Sequence, residues 1–168
     1  MFTVFGFYKF QKVNYQKKYQ KLLNNILIKK NIKGNIIISK EGLNGSLSGK
    51  YDAINVVIKK IKILFKINKF DSFNKSKCKF QPFYKSKVKI KKEIVPMNLK
   101  IQKRISKKDS HVDPKKWNKL IENEETFLLD ARKPFEHKVG SFKRSINPDI
   151  DNFRDFPKYL RKLKKKHP

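Results

Sequence analysis

Apolar and polar residues in the first 95 positions follow two spacings, one of two residues and one of three to four. The two-residue alternation predicts strands, and the longer spacing predicts amphipathic helices. A segment rich in Phe, Val and Tyr predicts the first strand over Phe2–Phe10. Further strands are predicted at residues 35–39 and 46–48, and residues 79–83 and 86–95 predict one or two more.

The same pattern predicts two helices, one at 15–30 with Asn14 as its N-cap and one at 52–65. The resulting order, β-α-β-β-α-β, is that of the split-βαβ, ferredoxin-like fold. Residues 41–45 (EGLNG) predict a tight turn before the third strand, because Gly and Asn tolerate positive φ. The apolar faces of the two helices consist of Tyr19, Leu22, Leu23, Ile26 and Leu27 in the first and Ile54, Val57, Ile58, Ile61 and Leu64 in the second.

Residues 96–110 contain many lysines and few apolar anchors, which predicts a linker. After it, Asp113 and Pro114 suit the N-cap and first position of a helix that runs to about residue 122. The residues of this helix that are predicted to face inward are Trp117, Leu120 and Ile121.

A short apolar run at 127–129 has the length of a strand buried on both faces of a parallel sheet. It is followed by a polar strand end, a short helix around 135–137, Gly140 as a stop and a second strand at 145–148. This succession predicts a piece of a βαβ sheet. A last, increasingly basic helix is predicted at 153–166.

The charge of the chain is strongly positive, with 43 Lys and Arg against 14 Asp and Glu and a formal net charge of +29. Such a surface favours a polyanionic partner, because it releases counterions from phosphates on binding. A second interpretation stays open, since 38 of the 43 basic residues are lysines and Lys, Asn, Ile and Phe all have A/T-rich codons. An AT-biased genome would produce this composition for any function.

Cys78 is the single cysteine, which excludes an internal disulfide and a CxxC metal site. No apolar run approaches the about 20 residues of a membrane span, and the start of the chain lacks a signal-peptide pattern. We therefore expect a cytoplasmic protein without a membrane or DNA partner. His111, His137 and His167 show no spacing for zinc or for activating a nucleophile, so no metal site, cofactor or catalytic residue is identified.

Several motifs resemble known families. The segments LLDAR (128–132), GSF (140–142) and SINP (145–148), with Glu136 between the first two, resemble the first half of a rhodanese domain. The segments EGLNGS (41–46), KIKKEIV (89–95) and FRDFP (153–157) are similar to signatures of the rhodanese-containing tRNA uridine hydroxylases.

The resemblance implies oxygen-dependent hydroxylation of the wobble uridine at carbon 5, with molecular oxygen as co-substrate and the anticodon arm of tRNA as partner. It also implies an α+β architecture. A ferredoxin-like domain would span residues 1–95, a linker 96–110, and an incomplete α/β rhodanese-like domain 111–168.

Four residues are expected to support the site. In rhodanese-like domains the pair equivalent to Asp130 and Arg132 supports the active-site region, so we expect these two to form a structural ion pair. Glu41 and Asn44 are expected to contact RNA or to shape the site. The alternative for Glu41 and Asn44 is that they only form a hairpin turn.

A second group is expected to bind RNA, namely Lys89, Lys91, Lys92 and Tyr84. Lys89 and Lys91 would share one face of a strand, and Tyr84 lies nearby, which suits contacts to phosphates and bases. The alternative is that the lysines are solvated residues of an edge strand.

The resemblance covers the chain but only part of the family's length. In the family, a reactive cysteine stands on a loop where backbone N–H groups and a helix N-terminus favour a thiolate. That loop would begin shortly beyond residue 168, and Cys78 lies in the other domain and cannot replace it. We therefore expect a truncated rhodanese-like domain that is marginally stable alone.

Adenine slippage in the codons of residues 164–166 (KKK) could restore a longer frame, a hypothesis that native protein ending uniformly at Pro168 would refute. Three functions are compatible with these observations: the tRNA hydroxylase, a rhodanese-type sulfurtransferase, and a non-catalytic remnant that at most binds RNA. The EGLNGS and KIKKEIV motifs argue against the sulfurtransferase.

Overall fold

The computed structural model describes residues 1–95 and 112–166, and for Lys165 and Lys166 only the backbone. The chain divides into two compact units, one spanning Met1–Val95 and the other containing the described residues from 112 onward. We call them the N-terminal unit and the C-terminal unit. The predicted linker, His111 and His167 lie outside the described residues. Within the described residues, no helix has the length and apolar character needed to cross a bilayer.

The N-terminal unit is a five-stranded sheet with two helices, which confirms the predicted ferredoxin-like, α+β fold. The strands lie in the order β4-β1-β3-β2-β5, and β2 and β5 form the parallel pair among antiparallel neighbours. The elements are β1 (Phe2–Phe10), α1 (Gln16–Lys29), β2 (Lys33–Ser39), β3 (Gly42–Gly49), α2 (Tyr51–Phe65), β4 (Ser72–Cys78) and β5 (Ser86–Ile90).

The core lies between one face of this sheet and the two helices. Alternate strand residues point into it, because successive side chains of a strand face opposite sides. The largest fully buried side chains are Leu23 and Leu27 of α1, Ile54, Val57 and Ile61 of α2, and Ile32, Ile36, Ile38, Leu43 and Leu47 around the sheet. Leu64 is partly buried against this cluster, whereas Leu22, which is predicted to lie on the inner face, is 38% exposed.

The predicted tight turn at 41–45 is wrong. The connection is the two-residue turn Lys40–Glu41, and β3 already begins at Gly42. Gly42 has a φ of +153°, and a Cβ there would collide with the carbonyl oxygen of Lys9. At Gly45 a Cβ would lie 2.7 Å from Cζ of Phe7. These glycines are therefore required by the close approach of β1 and its side chains, and not by a turn.

Three further boundaries differ from the predictions. Asn14 does not cap α1, because Tyr15 holds the N-cap position without a side-chain hydrogen bond. Residues 79–83 form no strand, and the strand that follows α2 is β4 at Ser72–Cys78. The side chains of β4 are mostly exposed and polar, as on many edge strands, so they give no hydrophobic signal. β5 ends at Ile90 and not at residue 95.

The C-terminal unit contains α3 (Pro114–Glu122), α4 (Pro134–Val139), a 3₁₀ turn (Phe153–Asp155) and α5 (Phe156–Lys166). The start of α3 is as predicted, because Oδ1 of Asp113 accepts a hydrogen bond from the Lys116 N–H at 3.0 Å. Leu120, predicted to face inward, is 38% exposed.

The prediction that residues 127–129 form a strand buried on both faces of a sheet is wrong for the described residues. Leu129 and Ile146 form a single parallel bridge, flanked by hydrogen bonds from the Asp130 N–H to the Ile146 oxygen and from the Ile146 N–H to the Leu128 oxygen, both 2.9 Å. Phe127 and Ile146 are each 44% exposed. Residues 112–166 supply no further strand to cover them, which agrees with an incomplete rhodanese-like domain.

Candidate functional site

Asp130 and Arg132 form a forked ion pair directly after the bridge residue Leu129. The guanidinium Nε lies 3.0 and 3.1 Å from the two carboxylate oxygens, and Nη2 lies 2.6 Å from Oδ2. The backbone N–H of Arg132 also donates to Oδ1 at 3.1 Å. Two parallel hydrogen bonds fix the relative orientation of both side chains, as a lysine in place of Arg132 could not.

This pairing shifts the pKa of both groups. Hydrogen bonds from the Arg132 side chain lower the pKa of Asp130 from 3.8 to about 2, and the backbone hydrogen bond and the positive charge of Arg132 act in the same direction. In return, the hydrogen-bonded carboxylate raises the pKa of Arg132. A carboxylate that is engaged in this way is a weak proton acceptor, so the geometry suits a positioning residue better than a general base.

The pair is anchored to the segments on either side of α4. Nη2 of Arg132 donates to the carbonyl oxygen of Gly140 at 2.6 Å. The Asn147 amide donates to the backbone oxygens of Asp130 and Arg132 at 2.9 and 2.8 Å, and its own oxygen accepts from the Asp149 N–H at 2.9 Å. The two halves of the predicted βαβ piece are thus joined by side chain to backbone contacts.

A hollow of about 460 Å³ opens beside the pair. Trp117 and Phe142, whose rings meet edge to face at 5.4 Å, form its apolar wall. His137, from α4, lies 3.2 Å from the hydroxyl of Ser145, which also lines the hollow. No group of three or more His, Cys, Asp and Glu that could hold a metal ion is present in the described part of the chain.

Glu41 has a defined partner far along the chain. Its Oε1 accepts a hydrogen bond at 2.7 Å from the backbone N–H of Ile94, a residue that is 2% exposed. Its own N–H donates to Oγ of Ser39 at 3.1 Å. Glu41 therefore ties the β2–β3 turn to the end of the N-terminal unit.

Asn44 lies elsewhere, on the face of the sheet opposite the core. Its cross-strand neighbours are Tyr8 on β1 and Ile37 on β2. Tyr8 was not singled out from the sequence, and its even position in β1 places it on the same face as Asn44.

The four residues expected to bind RNA occupy three different places. Lys89 lies opposite Ile37 and thus in the same cross-strand row as Asn44. Lys91 and Lys92 are exposed after the end of β5, and the Lys91 N–H donates to the Ile38 oxygen at 2.9 Å. Tyr84 is 99% exposed in the segment before β5. The structure therefore brings Lys89 together with Asn44 and leaves Tyr84 apart.

Residues 2–94 match the family model of the UPF0176 acylphosphatase like domain, more than half of the chain. The chain belongs to this family. Glu41, Asn44 and the four expected RNA-binding residues all lie within the matched UPF0176 domain, whereas the Asp130–Arg132 pair lies beyond it.

Two curated relatives extend the similarity over the whole chain. The tRNA uridine(34) hydroxylase of Pelagibacter ubique (strain HTCC1062) is 60% identical over 168 residues, which are 100% of this chain and 56% of the relative. That of Bartonella quintana (strain Toulouse) is 36% identical over 174 residues, 98% of this chain and 55% of the relative. The chain thus spans about half the length of the curated relatives it matches. The family predicted from the sequence motifs is confirmed.

Among solved structures, an acylphosphatase from Bacillus subtilis is similar to this chain at 12% identity and a TM-score of 0.39. The similarity covers 54% of this chain and 100% of the acylphosphatase chain. The topology of the UPF0176 domain rests on the strand order described above and not on this low similarity.

Proposed function

We propose that this chain acts in the oxygen-dependent hydroxylation of uridine 34 of tRNA at carbon 5. The observation that carries the proposal is the 60% identity, over every residue of the chain, to a tRNA uridine(34) hydroxylase. A second relative of the same name matches 98% of the chain. Neither name is that of a sulfurtransferase.

A wobble uridine is a chemically sensible substrate for a protein of this kind. It lies in a single-stranded loop, so its edge and its carbon 5 are reachable without breaking a duplex. The formal net charge of +29 favours association with the tRNA phosphates. We place the reaction in the cytoplasm, where this tRNA would be met.

In this proposal the two units have different roles. The N-terminal unit contacts the anticodon arm, and the C-terminal unit contributes to the site of chemistry. There the Asp130–Arg132 fork and the Asn147 amide hold the backbone on both sides of α4 in one arrangement. Molecular oxygen is the proposed co-substrate.

The proposal is tested by deleting the gene in its own host and analysing digested tRNA by mass spectrometry. We expect 5-hydroxylated uridine and its derivatives to disappear from tRNA and to return when the gene is supplied on a plasmid. A plasmid carrying Arg132→Gln should restore less of the modification than one carrying Arg144→Gln, because Arg144 donates to the backbone oxygens of Ile121 and Asn123 and does not take part in the Asp130–Arg132 fork. An unchanged level of hydroxylated uridine in the deletion strain would refute the proposal.

A further inference from the structure

The face of the sheet opposite the core presents two straight rows of mostly polar residues across the strands. Cross-strand pairing defines both rows without a gap. The first row runs from β4 to β5 through Ser72, Tyr8, Asn44, Ile37 and Lys89. The second row runs through Asn74, Gly6, Ser46, Asn35 and Lys87. We call these ten residues the open face.

The charge of the open face has one sign. Lys87 and Lys89 end the two rows on β5, and Lys33 lies on the same side of β2. No strand position on this side of the described sheet carries Asp or Glu. Asp71, which directly precedes β4, forms an ion pair with Lys9 at 2.8 Å. Asp71 stands one residue before Ser72 of the open face, and Lys9 stands one residue after Tyr8. The face is therefore complementary to a polyanion.

A hollow of about 350 Å³ lies in the middle of the open face. Tyr8 forms one side of it and is 37% exposed, with its ring held edge to face against Phe10 at 5.8 Å. Gly6 contributes no side chain and so leaves room beside the ring. The amides of Asn44, Asn35 and Asn74 surround the space.

The oxygen of one of these amides lacks a hydrogen-bond partner within the described chain. Oδ1 of Asn35 is shielded from solvent and accepts no hydrogen bond within the described chain. A buried acceptor without a donor is unfavourable, and rotation of the amide would present it to a donor on a bound base. The hollow thus combines an aromatic wall with unmatched hydrogen-bonding capacity.

We propose that the open face binds single-stranded RNA, with one base stacked on Tyr8 in the hollow, asparagine amides on its edge, and phosphates on Lys87 and Lys89. The inference rests on the proposed function for the identity of the RNA, which would be the anticodon loop. Tyr8 and Lys89 are separated by three interstrand spacings, about 14 Å, so one stacked base and a more distant phosphate can be contacted together.

The chemistry favours RNA over a protein partner. A protein-docking surface is enriched in large apolar side chains at its centre. Within the ten-residue open face, Tyr8 and Ile37 are the only large apolar or aromatic residues, Val4 and Phe10 lie on the same side of β1 at its margins, and the remaining members are small, polar or basic. Aromatic residues on the open side of a four-stranded sheet stack RNA bases in the same manner, and stacking requires an unpaired base.

The first test measures binding of the full chain to a labelled anticodon stem-loop with uridine at position 34, by fluorescence anisotropy. Tyr8→Ala should weaken binding about tenfold, whereas Tyr8→Phe should retain most of the affinity. The matched control is Tyr51→Ala, which removes an exposed tyrosine at the start of α2 whose ring lies 4.4 Å from Nζ of Lys75.

The second test uses the salt dependence of the same binding. Each single-strand phosphate contact contributes about 0.7 to the slope of log K against log salt, so Lys87→Gln with Lys89→Gln should reduce the slope by about 1.4. Lys59→Gln with Lys60→Gln removes the same charge from exposed positions of α2 and should leave the slope nearly unchanged.

The third test fills the hollow. A Cβ at Gly6 would meet only Oγ of Ser46, at 3.8 Å, so Gly6→Thr should fold and yet displace a stacked base. Circular dichroism and thermal melting confirm folding of each variant. Binding of a fully duplexed RNA should be insensitive to Tyr8→Ala and Gly6→Thr, because duplex bases are already stacked.

Equal loop affinity for the Tyr8→Ala, Tyr51→Ala and unchanged chains would overturn the inference and leave the open face to a partner of another kind. Failure of the proposed function is a separate result. If loop binding depends on Tyr8 but tRNA hydroxylation is unaffected by gene deletion, the open face binds RNA and the hydroxylase proposal is wrong. If hydroxylation is lost on deletion but Tyr8 is dispensable for binding, the hydroxylase proposal stands and RNA binding by the open face is wrong.

Discussion

The carboxylate of Glu41 accepts a hydrogen bond from the backbone N–H of Ile94 at 2.7 Å, across 53 residues of chain. The contact joins the two sequence motifs, EGLNGS and KIKKEIV, that fall within the UPF0176 domain. A motif glutamate that could have contacted a ligand is therefore engaged by the protein itself. Its removal should be felt first in stability.

We expect Glu41→Ala to lower the free energy of unfolding of the N-terminal unit by about 1–3 kcal/mol, because the buried N–H of Ile94 loses its acceptor. Glu41→Gln keeps an acceptor oxygen at the same reach and should cost less. Denaturant unfolding of both variants measures the difference. Equal stability of the Ala and Gln variants would show that the hydrogen bond contributes nothing.

The Asp130–Arg132 pair predicts a specific response to acid. The pKa of Asp130 is lowered from 3.8 to about 2 in the folded chain, so the folded state binds the proton less readily than the unfolded state. The stabilisation from this pair is complete above about pH 4 and is lost as the pH falls towards 2. A ¹³C NMR titration of the Asp130 carboxyl carbon should give a midpoint near 2.

The matched variants for this titration are the two arginines of the same unit. Arg132→Gln removes the fork and should return the midpoint towards 3.8. Arg144→Gln removes an equal charge that contacts backbone oxygens of Ile121 and Asn123, and the midpoint should stay low. An ordinary midpoint in the unchanged chain would contradict the pairing.

The two glycines of neighbouring strands should respond oppositely to alanine. At Gly45 the added Cβ would lie 2.7 Å from Cζ of Phe7 and 3.2 Å from the backbone oxygen of Asn35, so Gly45→Ala should destabilise the unit by about 1–3 kcal/mol. At Gly6 the nearest atom is 3.8 Å away, and Gly6→Ala should leave stability unchanged or raise it by up to about 1 kcal/mol. Thermal melting of both variants tests the prediction. A Gly6→Ala variant as unstable as Gly45→Ala would contradict this packing.

Helix α2 offers a test of the core with an internal control. Ile61 is fully buried and Ile63, two residues later, is 77% exposed. Ile61→Ala should cost about 2–5 kcal/mol, since it leaves a cavity between helix and sheet. Ile63→Ala should change stability by less than about 0.5 kcal/mol. Denaturant unfolding measures both losses. Similar losses from both substitutions would contradict the packing of the Ile61 side of α2 against the sheet.

Much of the N-terminal unit could be predicted from local sequence, because the signals lie in contiguous residues. The alternation of Phe2–Phe10 predicts β1 at its observed bounds, and helical spacing predicts α2 within one residue. In the C-terminal unit, Asp113 and Pro114 predict the start of α3, because N-capping is a property of adjacent residues. The family motifs were likewise visible in the sequence alone.

The tertiary structure decided what depends on residues far apart in the chain. The polar edge strand β4 exists because it pairs with β1, and its own residues give no hydrophobic pattern. Gly42 and Gly45 suggested a turn, yet they are needed by the close packing of β1 against β3. Strand register, which is fixed by packing of one face on the helices, placed Tyr8, Asn44 and Lys89 in one row. Local sequence specifies most of the elements, whereas the partners of each residue are set by the pairing of strands that are distant in the chain.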